Sequence, residues 1–114
     1  MYEDIKAELH GRECKKMANN TYLKRGAFAD LVGMSLHGNR IATFTKDYIK
    51  LSSAGWHTRT TKDRLNLALS MAKVKGIVYQ HDWVWYICNK NHLTYYDVVL
   101  FDGIRINYEG EVIQ

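Results

Sequence analysis

The feature that most restricts the fold is the segment Gly55-Trp56-His57-Thr58-Arg59-Thr60-Thr61-Lys62-Asp63-Arg64-Leu65-Asn66, where a helix begins between two stretches of strand-like sequence. Thr60 precedes Asp63 by three positions, the spacing of a capping box in which Asp replaces the usual Glu. The Thr60 hydroxyl is placed to accept a backbone N–H that the first turn leaves without a partner. Leu65, Ala68, Leu69 and Ala72 then share one face, Met71 widens it, and Gly76 is a natural stop. The spacing predicts a helix over about 61–74.

The flanking sequence reads as strands. Thr21-Tyr22-Leu23 is followed by an apolar patch from Ala27 to Leu36, with turn residues at His37-Gly38-Asn39. Ile41-Ala42-Thr43-Phe44-Thr45 is β-branched and aromatic, Thr45-Lys46-Asp47 makes a turn, and Tyr48-Ile49-Lys50-Leu51 alternates at period two. After the helix, Ile77 to Gln80 and Trp83 to Cys88 flank a two-residue turn at His81-Asp82. Tyr95 to Phe101 and Ile104 to Tyr108 flank Asp102-Gly103, a strong local hairpin signal. At the start of the chain, Tyr2, Ile5 and Leu9 keep helical spacing and predict a short helix over 2–17, weakened in the middle by Gly11. The expected fold is α+β: a mostly antiparallel sheet of hairpins with one central helix packed on it. The 114 residues suit a single domain, with 1–18 as a helical extension and 20–108 as the α+β core.

Composition narrows the function classes. A net charge of +4 suits contact with nucleic acid or another anionic surface. No apolar run approaches the roughly 20 residues of a membrane helix, and the N-terminus lacks signal-peptide order. A cytoplasmic protein is expected. Cys14 and Cys88 stand far apart without a CxxC, so reduced thiols are expected. Cys88 and His92 are four apart, yet no second ligand pair accompanies them, so neither metal nor other cofactor is expected. The chain contains no GxSxG, HExxH, P-loop or GxGxxG. A non-enzymatic protein is therefore expected, although His57 or His37 remains a candidate acid–base group for a nucleotide- or nucleic-acid-processing enzyme.

Two residue sets are candidates for binding. Arg59, Lys62 and Arg64 at the helix start, with Trp56 and His57, combine cations and an aromatic near free backbone N–H groups, which suits a phosphate and a stacked base. The bland alternative makes Trp56 a core anchor, Thr60 a mere cap and the cations solvated. Trp83, Trp85, Tyr86, Tyr95 and Tyr96 form the second set. Alternation puts Trp83 and Trp85 on one strand face and Tyr86 on the other. Both faces are apolar, which predicts a central strand covered on both sides; the alternative is an exposed platform for a partner protein.

The string Asn20-Thr21-Tyr22-Leu23, Leu36-His37-Gly38-Asn39, Ile41, Thr43-Phe44, Asp47, Ile49, Leu51, Gly55-Trp56, Thr58, Thr60 to Asn66, then Trp85 and Phe101-Asp102-Gly103-Ile104, resembles a recurring type of small bacteriophage or prophage accessory protein. The likeness covers most of residues 20–106, and residues 1–18 look like an addition to it. It implies action in a bacterial host cytoplasm. The first functional expectation is a non-enzymatic inhibitor or modulator of a host nucleoprotein or defence complex, such as an anti-CRISPR or anti-restriction protein. The second is direct binding of DNA or RNA.

Overall fold

In the structure, a computed structural model describing residues 1–26, 30–89 and 97–113, the chain builds two antiparallel sheets around one core. The seven-stranded sheet has the order β1 (Cys14–Ala18), β2 (Thr21–Arg25), β3 (Val32–Leu36), β4 (Asn39–Phe44), β5 (Ile49–Leu51), β9 (Ile104–Ile106) and β10 (Val112–Ile113). The smaller sheet joins β6 (Gly76–His81), β7 (Val84–Asn89) and β8 (Asp97–Val99). Helices α1 (Tyr2–Glu8) and α2 (Arg59–Met71) complete the α+β fold.

Alternation decides which face of the large sheet is covered. Leu23, Met34, Phe44, Ile49, Leu51, Ile104 and Ile106 are fully buried on one face. They meet Leu65, Ala68, Leu69 and Ala72 of α2, Tyr2, Ile5 and Leu9 at the start of the chain, and Val78, Trp85 and Ile87 of the small sheet. The other face has no element packed on it among the described residues. Its residues alternate with the buried ones, the pattern of a sheet with one wet side.

Several expectations need correction. The first helix ends at Glu8 rather than 17. His10 and Gly11 take left-handed backbone (φ 49° and 78°), and Cys14–Ala18 pairs as an edge strand. Tyr2, Ile5 and Leu9 pack into the common core. The Tyr2 hydroxyl donates to Asp30 at 2.9 Å. Burial, with that bond, pushes Tyr2 up to about 12, while the bond holds the Asp30 carboxyl below its usual range.

The cap of α2 is Thr58, not Thr60: its hydroxyl accepts the Thr61 N–H at 3.2 Å. The helix stops before Gly76. Lys73 takes the left-handed position (φ 59°), and Val74 N–H and Lys73 N–H donate back to the Leu69 and Ser70 carbonyls, a Schellman close.

The hairpin between β6 and β7 turns at Asp82-Trp83 (φ 49° and 68°), one residue later than expected. Strand β7 is central in its sheet but covered on one face only. Trp85 and Ile87 are buried, whereas Val84 is exposed and Tyr86 half-buried. The Asp102-Gly103 turn joins no hairpin. It carries the chain from β8 in the small sheet to β9 in the large one. The Asp102 carboxylate accepts the Ser53 N–H at 2.8 Å and the Ser53 hydroxyl at 2.9 Å, which ties the crossover to the loop before α2.

The small sheet is fastened by a side chain that imitates a strand. Asn66 on α2 donates to the Val78 carbonyl at 2.9 Å and accepts the Val78 N–H at 2.7 Å. One amide thus satisfies both outward backbone groups of Val78 on β6.

Candidate functional site

Residues of the helix start do not converge on one ligand. Arg59 is almost fully exposed and pairs with Asp63 at 3.9 Å. Arg64 Nε donates to the Thr21 hydroxyl at 2.8 Å, toward the start of β2. Lys62 lines a separate depression with Asp82 and Trp83. His57 stands edge-on to Trp85, with ring centroids 4.9 Å apart. Trp56 is 62% exposed, so it is no core anchor, and it forms the rim of a cleft of about 500 Å³.

The second predicted set also divides. Trp85 is 5% exposed and packs in the core, which removes it from any partner surface. Trp83 is 91% exposed at the hairpin tip, not on the Trp85 face, because the turn begins one residue later. Tyr86 stacks on Tyr79 at 5.5 Å on the outer face of the small sheet. Tyr95, Tyr96 and His92 lie outside the described residues.

A site that sequence reading missed lies on the open face of the large sheet. Register places Cys14, Lys24, Gly33, Thr43, Lys50, Arg105 and Ile113 in one row across all seven strands. Lys16, Tyr22, Ser35 and Arg40 form a second row beside it. The charged residues of both rows are Lys16, Lys24, Arg40, Lys50 and Arg105, all cations, and all are exposed. Four strand spacings separate Lys24 from Arg105, roughly 19 Å.

None of the five forms an ion pair among the described residues. Five of the acids pair with other cations: Asp4 with Lys73, Glu8 with Lys15, Glu13 with Arg25, Asp30 with Lys6 and Lys46, Asp63 with Arg59. Lys50 and Arg105 are directly opposed, a like-charge pairing that weakens a sheet. Arg105 is partly compensated by the ring of Tyr48, 5.3 Å from its guanidinium carbon.

Two backbone devices set Arg40 at the centre of this face. A bulge in β4 lets the consecutive residues Ile41 and Ala42 both stay buried, so that Arg40 turns outward. Opposite, Gly33 has no side chain, and the Arg40 guanidinium lies where one would be: a Cβ there would sit 2.6 Å from Arg40 Nε. Tyr22, 42% exposed, adds an aromatic ring in the same row. The signal available in the sequence was the repeated apolar–cation–apolar triplet, Ile49-Lys50-Leu51 and Ile104-Arg105-Ile106, with Leu23-Lys24 as a partial third.

Among the described residues, no three of His, Cys, Asp and Glu converge as metal ligands, and no helix is long and apolar enough to cross a membrane. Residues 1–107 match the family model described as Kyanoviridae Gp96 protein. The chain belongs to that phage family. The match takes in α1 and β1. No curated protein and no solved structure matches the chain.

Proposed function

We propose that this phage protein binds nucleic acid along the open face of its seven-stranded sheet, without a catalytic step, in the cytoplasm of the infected cell. The observation that carries this reading is the pair of rows holding Lys16, Lys24, Arg40, Lys50 and Arg105 with no acid among them. Burial does not require these cations, and two of them repel each other across adjacent strands. A polyanion that contacts several at once neutralises that repulsion and releases its own counterions.

The interface is phosphate-directed. Lysine and arginine on a flat sheet contact backbone charge without reading base edges, so DNA and RNA of any sequence bind. Tyr22 and Tyr48 supply aromatic surface beside the cations, the combination found in grooves that track single strands. Anisotropy titrations of labelled oligonucleotides over a salt series test the reading. Four to five phosphate contacts predict a slope of log affinity on log salt of about −3 to −4.5. Undetectable binding at low salt, or a flat salt response, removes it.

A second reading is a modulator of a host protein or nucleoprotein complex, including the anti-CRISPR and anti-restriction roles. It rests on the outer face of the small sheet, where Ile77, Val84 and Val99 are exposed and Trp83 stands in the adjoining turn. Exposed apolar surface of this kind is typical of protein contacts. Recovery of a specific host protein by the native chain and not by Trp83→Ser supports this reading; equal recovery by both removes it.

A further inference from the structure

We infer that the nucleic acid is single-stranded, and that one unstacked base enters the cleft rimmed by Trp56. The inference rests on the basic-face reading and adds the strand state and the base site to it.

The cleft adjoins the basic face. It is lined by Asn39, Ile41 and Ser53, while the shallow depression beside Arg40 is lined by Arg40, Ile41, Lys50 and Ser52. The two hollows share Ile41 and are separated only by chain neighbours. A phosphate held by Arg40 and Lys50 therefore leaves the attached nucleoside beside the cleft mouth.

The cleft suits a base in size and lining. Its volume of about 500 Å³ falls within the roughly 300–1,000 Å³ of small-ligand pockets. Leu36 and Ile41 are buried apolar lining residues, Trp56 presents an exposed ring, and Asn39, His37 and Thr60 supply exposed polar groups around it. An aromatic ring with a few polar neighbours binds any base by its π-face and favours none strongly. A base within a duplex cannot reach such a cleft without leaving its stack and its pair, which disfavours double strands.

The loop conformation leaves Trp56 outside. Ala54 and Gly55 both take left-handed backbone (φ 54° and 82°), and Ser53 is anchored to Asp102. The ring is thus presented from a fixed loop although the core does not hold it. Together, Arg40 and Lys50 on the sheet and Trp56 on the loop before α2 form a phosphate-and-base unit where the basic face meets the cleft.

The test uses the full chain and a fluorescein-labelled mixed-sequence oligonucleotide, single-stranded or annealed to its complement, as DNA and as RNA. Native protein is compared with Trp56→Ala, Trp56→Phe and the double variant Lys50→Glu/Arg105→Glu. The expected result has three parts: the single strand binds at least about tenfold tighter than the duplex, Trp56→Ala loses about five- to a hundredfold on the single strand with an unchanged salt slope, and Trp56→Phe retains most of the affinity. In a Trp83→Phe background, with Trp85 buried, the emission of Trp56 is quenched on binding. Equal binding of single strand and duplex, or no loss in Trp56→Ala while the charge-reversed protein fails to bind, overturns this inference and leaves the basic face standing. Unchanged binding by the charge-reversed protein overturns both.

Discussion

The two sheets each leave one face to solvent, and the two faces differ in kind. On the large sheet the outward positions carry Lys16, Lys24, Arg40, Lys50 and Arg105. On the small sheet the outward positions carry Ile77, Tyr79, Val84, Tyr86 and Val99, and the neighbouring turn carries Trp83. Both faces obey the same period-two rule, and both back onto the same core. The difference teaches that alternation decides only which residues face out. The chemistry of the outward set is free of the fold, and it is there that function is written. A cation on an open sheet face costs little to keep wet, whereas exposed Trp83 and Val99 retain apolar surface that folding did not remove.

The strongest way to break the comparison is to invert the charge of one face. Lys50→Glu/Arg105→Glu keeps two like charges opposed and gives up the Arg105–Tyr48 contact, so stability should fall by no more than about 1 kcal/mol. Oligonucleotide affinity at low salt should fall by roughly a hundredfold or more, because two attractive contacts become repulsive. Anisotropy titration and thermal melting check the two halves. A protein that still binds with native affinity shows that the charged row is only a solvated surface.

A second variant tests how the small sheet is held. Asn66→Ala leaves the Val78 N–H and carbonyl without partners at an edge packed on α2, a loss of about 1–3 kcal/mol. Denaturant unfolding measures it. Nucleic-acid affinity well below the unfolding transition should be unchanged, since the basic face lies across the core from Asn66. An affinity loss matching the stability loss would mean that the two faces are not independent.

Helix α2 and most of the hairpins were legible because their signals are local. Leu65, Ala68, Leu69 and Ala72 repeat at helical spacing, and all four are fully buried. His37-Gly38 makes the β3–β4 turn in left-handed backbone. The errors arose where a local signal had to be read against a distant partner. Asp102-Gly103 has hairpin chemistry, but β5 offered an edge for β9, and the Asp102 carboxylate was used to bind Ser53 instead. The helix over 2–17 failed because period 3.6 stops at Leu9, and Cys14–Ala18 found pairing with β2. The basic face was illegible as a cluster because its members come one per strand, from positions 16 to 105. Only the register brings them together. At the helix start, by contrast, Arg59, Lys62 and Arg64 are close in sequence and diverge in space, since their bearings differ around the helix axis.

A finer test concerns the placement of Arg40. Gly33→Ala introduces a methyl group 2.6 Å from Arg40 Nε, and the side chain, being flexible at its far end, moves aside. Alanine serves a strand interior at least as well as glycine, so stability should change by less than about 1 kcal/mol. Affinity should fall severalfold, approaching that of Arg40→Ala. If Gly33→Ala binds as the native protein does while Arg40→Ala is weakened, the charge of Arg40 matters and its position across the sheet does not.

The smallest expected effect is the sharpest check on the separation of the faces. Trp83 is 91% exposed in a turn, so Trp83→Ser removes almost no buried surface, and stability should shift by no more than about 0.5 kcal/mol. Trp83 has left-handed backbone (φ 68°), which serine tolerates no worse than the bulkier indole does. Oligonucleotide affinity should not change, because no cation of the large sheet adjoins this turn in the register. Lys62, which lines a depression with Trp83, lies on the helix side and outside the proposed interface. A measurable loss of affinity in Trp83→Ser would therefore mean that the nucleic acid leaves the large sheet and passes the hairpin tip. The apolar face would then be part of one continuous binding surface, and the basic rows its anchoring end.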